Sequence, residues 1–226
     1  MLAIGSSIRM IRSTSLEITE AFDLSPRVMD RIHRDLTRTN HWLGNIEAII
    51  RRLKRDALPV RKVLDLGCGH GGVLLEIQRR LGVEVVGIDL NPPHTRNANV
   101  PILRGDATED LLPKADVAIS VLVAHHLNED QFISLIRNAS RSCRRILVLD
   151  LARSPIPLLL FRWFIAPFLS EINAADGCLS IQRAYTPQEF RNIIESALRG
   201  TTARYDHRVS LLYIRQLADI SFAKTE

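Results

Sequence analysis

A short apolar run that breaks into a glycine-dense turn constrains this chain more than any other feature. Val63-Leu64-Asp65-Leu66 reads as a strand, and Gly67-Cys68-Gly69-His70-Gly71-Gly72 follows without a gap. A helix over about 73–81 comes next, closed by Gly82. Val85-Val86-Gly87-Ile88-Asp89 is then a second strand with an acid at its end. Strand, glycine turn, helix, strand and acid specify a parallel βαβ unit whose ligand lies beyond the carboxyl ends of the strands. Glycines let the main chain approach that ligand closely and adopt positive φ.

The same grammar continues downstream. Residues 102–106 and 115–122 read as strands three and four, 129–142 as a helix and 145–151 as strand five. Strands alternating with helices predict an α/β, Rossmann-like, doubly wound and mostly parallel sheet. The strands are apolar on both sides, as strands covered on both faces must be. Upstream, Val28, Ile32 and Leu36, then Leu43, Ile46, Ile49, Ile50 and Leu53, recur at helical spacing. Ser25-Pro26 starts that helical stretch and Gly44 divides it. After strand five, residues 155–184 interrupt the pattern. A helix capped by Thr186 runs from Pro187 to about Arg199. Residues 202–208 and 210–217 read as two closing strands with a tight connection, which makes seven. The expected organisation is a helical N-terminal extension or cap over 1–57 and a sheet domain over 58–226, with a helical lid insertion at about 154–185.

Composition excludes several classes. With 46% hydrophobic and 24% charged residues, neither disorder nor a collagen-like repeat is indicated. The net charge of +5 is dispersed, its densest groups being Arg51, Arg52, Lys54 and Arg55, then Arg61 and Lys62. These read as a solvated helix face and loop, so a nucleic-acid partner is not expected. Cys68, Cys143 and Cys178 lie far apart, which gives no disulfide framework and fits a reducing, cytoplasmic setting. Residues 1–15 carry Arg9 and Arg12 and no acid before Glu17. That is the composition of a transit peptide, but we read the segment as a frayed, irregular end. The longest apolar run, 155–169, is broken by Arg162 and falls short of the ~20 residues that span a bilayer. It reads as a lid over an apolar pocket, a packing or dimer surface, or a peripheral membrane contact; monomer and homodimer both remain open.

The ligand is narrowed by two acids. Asp89 stands where a carboxylate accepts both ribose hydroxyls of a nucleoside. Gly67, Gly69 and Gly72 equally satisfy the dinucleotide pattern of dehydrogenases, so a nicotinamide-dependent oxidoreductase is one alternative. Asp65, however, sits inside the strand two residues before Gly67. A buried acid needs polar partners. We expect it to accept hydrogen bonds from the glycine loop, a demand that a pyrophosphate site does not make. Gly105-Asp106 offers a further carboxylate suited to an adenine amino group.

At these residues the chain resembles the class I methyltransferases that use S-adenosylmethionine (SAM). Val63 through Gly71 looks like their first motif, Val86-Gly87-Ile88-Asp89-Leu90 like the second and Gly105-Asp106-Ala107 like the third. Asp116 through Leu127 looks like the fourth. The resemblance implies SAM as the cofactor. Gly67, Cys68 and Gly69 would then lie against its methionyl part and ribose, with Asp65 supporting the loop. Asp89 would bind the ribose diol, Leu90 would lie on the adenine, and Asp106 with Ala107 would face the adenine amino group. Ser120 would lie near the methyl end.

The strand-four end, with its His125-His126 pair, is similar to methyltransferases of quinones, polyketides and other small molecules. Ser15-Leu16-Glu17 through Asn40 to Gly44 resembles the N-terminal helices of bacterial methyltransferases associated with type III polyketide synthases. Asp176 through Glu189 resembles the segment after strand five in quinone-type enzymes. A small apolar or aromatic acceptor is therefore expected, with RNA or protein methylation as the alternative. Asn91-Pro92-Pro93 is similar to a motif of nucleic-acid amino-methylating enzymes, but it follows strand two instead of strand four and His94 replaces the aromatic. We read it as a loop. His125 and His126 are the candidate bases, since histidine titrates near ~6.5. The pair lacks a third ligand at a suitable spacing, so no metal is expected. Arg153, Arg183 and Tyr185 are the residues expected to orient an acidic or phenolic substrate.

Overall fold

A computed structural model describes residues 10–22, 24–92 and 100–222. Pro93, His94, Asn97 and Arg9 lie outside the described residues. Seven strands form one sheet in the order β3-β2-β1-β4-β5-β7-β6. They are β1 (Lys62–Leu66), β2 (Glu84–Asp89), β3 (Ile102–Arg104), β4 (Val117–Val121), β5 (Arg145–Leu151), β6 (Arg204–Val209) and β7 (Arg215–Ser221). Strands β1 to β5 pair in parallel, and β7 lies antiparallel between β5 and β6. Among the described residues eight helices accompany them: α1 (Ile18–Ala21), α2 (Pro26–Trp42), α3 (Asn45–Lys54), α4 (Gly72–Leu81), α5 (Glu129–Ser142), α6 (Pro155–Phe164), α7 (Glu171–Arg183) and α8 (Pro187–Ala197).

The period of two along each strand sorts side chains to two cores. Leu64, Leu66, Ala118, Ile146 and Val148 meet Phe132, Leu135 and Ile136 of α5 and Phe190, Ile193 and Ile194 of α8. Val63, Val117, Ile119, Leu147 and Leu149 meet Ile46, Ile49, Ile50 and Leu53 of α3 and Leu74 and Ile77 of α4. The apolar face of α3 is thus part of the layer that covers the sheet. Gly44, at φ 64, makes the left-handed step that separates α2 from α3.

Three boundaries differ from the sequence expectation. Strand three ends at Arg104, because Gly105 and Asp106 turn away and the Asp106 carboxylate accepts the Thr108 N–H at 2.7 Å. The last two strands are not joined tightly. A 3-10 turn at Leu211–Tyr213, with Leu212 and Tyr213 at φ 62 and 57, lies between them and moves β7 to Arg215–Ser221. Residues from Met10 onward are irregular but not frayed. Ser13 N–H donates to Gln182 O, and the Arg12 guanidinium donates to the carbonyls of Arg183, His125 and Leu127. After β5, α6, a 3-10 turn (Ala166–Phe168) and α7 form a helical insertion. It exposes Leu159, Trp163, Phe164 and Phe168. No helix among the described residues is long and apolar enough to cross a membrane.

An ion-pair network holds the sheet at the strand ends opposite the glycine turn. Arg145, at the start of β5, pairs with Asp219 of β7 at 2.7 Å and with Asp56 at 2.8 Å. Arg52 of α3 reaches Asp219 at 2.9 Å, and Arg144 reaches Asp56 at 2.8 Å. Burial pushes the Asp56 carboxyl up, but the hydrogen bonds from Arg144 and Arg145 outweigh it and hold it below the usual range. Removing one partner of a buried pair leaves the other charge uncompensated. Asp219→Ala is therefore expected to lose about 3 kcal/mol of stability, read by urea unfolding. An unchanged midpoint would show that the network carries no weight.

Candidate functional site

The glycine turn is fastened to the end of β2. Gly67 N–H and Cys68 N–H both donate to Ile88 O, at 2.9 and 3.2 Å. Gly69 N–H donates to Asp89 Oδ2 at 2.8 Å, and Asn91 N–H to Asp89 Oδ1 at 2.9 Å. This corrects the expected role of Asp65: the loop N–H groups turn to Asp89 and the carbonyl before it. Asp65 Oδ1 is buried with no partner among the described residues. Burial first, and the nearby Asp89 second, push the Asp65 carboxyl up to about 8. Ser120 Oγ, enclosed between β1 and β5, is equally without a partner. A Cβ built on Gly69 would meet nothing within 4 Å, so the main chain there faces open space. Two unpaired polar atoms beside a bare backbone arc are what a polar nucleoside ligand would complete.

The remaining cofactor candidates lie along the same strand ends. Leu90 is exposed beyond β2. Asp106 Oδ1 takes the N–H and hydroxyl of Thr108. Ala107 borders the core, its carbonyl accepting from Asn138. None of these three lines the cavity described next.

A cavity of about 280 Å³ runs from Asp65, Gly67 and Gly69 to His125 and His126. Helix α2 contributes Ile32 and Leu36, and the insertion contributes Phe161 and Leu169. Its acidic lining consists of Glu17, Asp35, Asp65 and Asp176; no Lys or Arg among the described residues lines it.

At its far end the strand-four turn presents both histidines. His125 is 3% exposed. Its main-chain N–H donates to Asp150 Oδ2 at 2.7 Å, and its Nδ1 lies 2.7 Å from Asp150 Oδ1. Its Nε2 stands 3.7 Å from Glu17 Oε1. His126 Nδ1 meets Glu20 Oε1 at 2.6 Å. Burial raises the Glu20 carboxyl, yet hydrogen bonds from His126 and Arg183 prevail and hold it far below the ordinary range. For Glu17 burial prevails, against the lowering by His126, Ser180 and Arg183, and its carboxyl is raised.

Sequence reasoning missed Glu17, Glu20 and Asp150. Glu17 caps α1 and Glu20 lies within it, and together they form a capping box that reads as purely local. Asp150 did carry a signal: like Asp65, it is an acid inside an apolar strand.

The three residues expected to orient substrate are engaged elsewhere. Arg153 is buried and donates to Met10 O and Ala184 O while pairing with Glu189 at 2.7 Å. Tyr185 is buried, its hydroxyl donating to Leu127 O, with Arg12 stacked 3.9 Å over its ring. Arg183 is buried and pairs with Glu20. None of the three lines the cavity. Each is long enough to reach a ligand, but each satisfies backbone carbonyls or carboxylates that would otherwise be stranded inside the protein.

Residues 63–145 match a family model described as a methyltransferase domain. The chain is 31% identical over 86 residues to a ubiquinone biosynthesis O-methyltransferase of Psychrobacter cryohalolentis, covering 38% of this chain and 33% of that one. It is 45% identical over 56 residues to the enzyme of the same description from Xanthomonas campestris pv. campestris, covering 25% and 23%. The chain thus spans a third or less of these curated relatives. Among solved structures, it superposes on the plantazolicin methyltransferase BpumL, crystallised with a monoazolic desmethylPZN analog and SAH. The TM-score is 0.66 at 14% identity, over 88% of this chain and 91% of that one.

The raised carboxyl of Asp65 has a measurable consequence. In the unfolded chain it ionises near 3.8, in the folded protein near 8. Its contribution to stability is complete below the lower value and is lost as pH rises toward the upper one. The stability of Asp65→Asn relative to the parent protein is therefore expected to rise between those two values, followed by thermal melts across pH. A pH-independent difference would mean that Asp65 is already ionised in the fold.

Proposed function

We propose that the chain is a class I SAM-dependent methyltransferase, a reading supported by the methyltransferase-domain match over residues 63–145 and by the shared fold, and that it moves a methyl group from SAM to a hydroxyl of a small, uncharged, apolar or aromatic acceptor. One observation carries the reading. A cavity with a mainly apolar lining runs from the glycine turn to His125, whose Nδ1 meets Asp150, and no Lys or Arg among the described residues lines it.

When bound, SAM supplies a methyl group already activated on a sulfonium. Asp89 would hold the ribose diol. Asp65 and Ser120 offer the polar atoms that lack partners, and Gly69 the bare main chain. The residues of this chain then have two tasks: to align the acceptor and to take its proton. Phe161, Leu169, Ile32 and Leu36 line the acceptor half and exclude water. Asp150 accepts Nδ1–H of His125 and leaves Nε2 as the nitrogen that takes the hydroxyl proton. The charge set disfavours other acceptors. Glu17, Asp35 and Asp176 would repel a carboxylate or a phosphodiester, and no Arg or Lys among the described residues is there to pair with one. That supports a small-molecule substrate over RNA.

Three measurements test this. Asp89→Ala is expected to weaken SAM binding roughly 100-fold by calorimetry, through loss of charge-assisted hydrogen bonds, with the circular dichroism unchanged. Unaltered affinity would remove Asp89 from the site. Transfer of label from methyl-labelled SAM is expected with neutral phenols and not with benzoates or RNA. His125→Ala should lower kcat on such a phenol by roughly 10²–10⁴-fold while SAM affinity stays. Label on benzoates or RNA in place of phenols would overturn the acceptor assignment.

A further inference from the structure

Glu17, His125 and His126 come from two distant segments, yet one ligating atom of each lies within 4.8 Å of the others. We propose that they bind one divalent transition ion, of the Zn²⁺ or Fe²⁺ kind, at the acceptor end of the cavity.

The donor set is two imidazoles and one carboxylate. That combination suits first-row ions such as Zn²⁺ and Fe²⁺, whereas Mg²⁺ and Ca²⁺ take oxygen ligands. The surroundings have the form of a metal site as well. Metal-bound histidines usually donate their other ring nitrogen to a carboxylate or carbonyl, which fixes the tautomer and the ring orientation. Both rings have such a partner: His125 Nδ1 is 2.7 Å from Asp150 and His126 Nδ1 is 2.6 Å from Glu20. Each pairing leaves Nε2 as the nitrogen available for ligation, and His125 Nε2 already stands 3.7 Å from Glu17. The ring centroids are 4.1 Å apart at a tilt of 38°.

Glu17 is 6% exposed, so its charge needs compensation. Arg183 approaches it only to 4.0 Å and pairs chiefly with Glu20. Ser180 Oγ donates to Glu17 Oε1 at 2.6 Å and steadies it. Three protein ligands leave coordination positions open, as in catalytic centres. All three residues line the cavity, so an acceptor oxygen could fill an open position, where the ion, occupying His125 Nε2, would take over from that nitrogen the task of favouring loss of the hydroxyl proton. This role rests on the methyl-transfer reading; the binding itself does not.

The site is tested with the full chain, stripped with chelator and titrated with Co²⁺ alone. Saturable binding of one ion is expected, with d–d absorption in the visible and a rise in thermal midpoint. Glu17→Gln and His126→Ala should each weaken binding by more than the roughly 10-fold that loss of an outer-shell partner costs. Glu20→Gln, which touches only the outer partner, should weaken it less. No saturable binding, or an affinity unmoved by Glu17→Gln and His126→Ala, would overturn the site. Zn²⁺ displacement of Co²⁺ by the intact chain checks the same site should a variant fold poorly. SAM affinity of the stripped protein, measured alongside, separates failure of the ion site from failure of the methyltransferase reading.

Discussion

The tether between the glycine turn and the tip of the second strand is the constraint on which the rest of the molecule depends. Three main-chain N–H groups, from Gly67, Cys68 and Gly69, are drawn to Ile88 O and to the Asp89 carboxylate. The loop N–H groups are thus not available to Asp65, whose Oδ1, like Ser120 Oγ, has no partner among the described residues. The turn also delivers Gly72 to the start of α4, whose Leu74 and Ile77 close the core beneath it. The shape of the proposed cofactor site and the packing of the sheet therefore depend on one set of hydrogen bonds.

The parallel half of the fold was legible because its information is local. Strands β1, β2, β4 and β5 are near-continuous apolar runs, and their helices show clean periodicity. The antiparallel end was not. Gln216, read as an ordinary strand residue, is fully buried and satisfies Leu151 O and Tyr185 O. The 3-10 turn at Leu211–Tyr213 consists of residues that pass for strand on propensity alone. Tertiary partners, absent from any short window, decide both.

The site divides along the same line. Its nucleoside half is read from one contiguous stretch, since Asp65, the glycines and Asp89 all fall within a single βαβ unit. The proposed acceptor half is assembled from the start of α1, the strand-four turn, β5 and α7, and only folding brings Glu17 to His125. Arg153, Arg183 and Tyr185 misled for a related reason. A cation in an apolar neighbourhood looks like a substrate clamp until the buried carbonyls and carboxylates it serves become visible. The better clue was the acid at position 150, whose burial obliges it to find a donor.

Arg12 belongs to the least regular part of the chain, yet its guanidinium staples the carbonyls of His125, Leu127 and Arg183 while resting on Tyr185. These carbonyls flank both histidines and close the last turn of α7. The leading segment thereby acts as a splint for the loop that carries the histidines, and shortening the chain past this arginine would loosen the imidazoles without removing an atom of either.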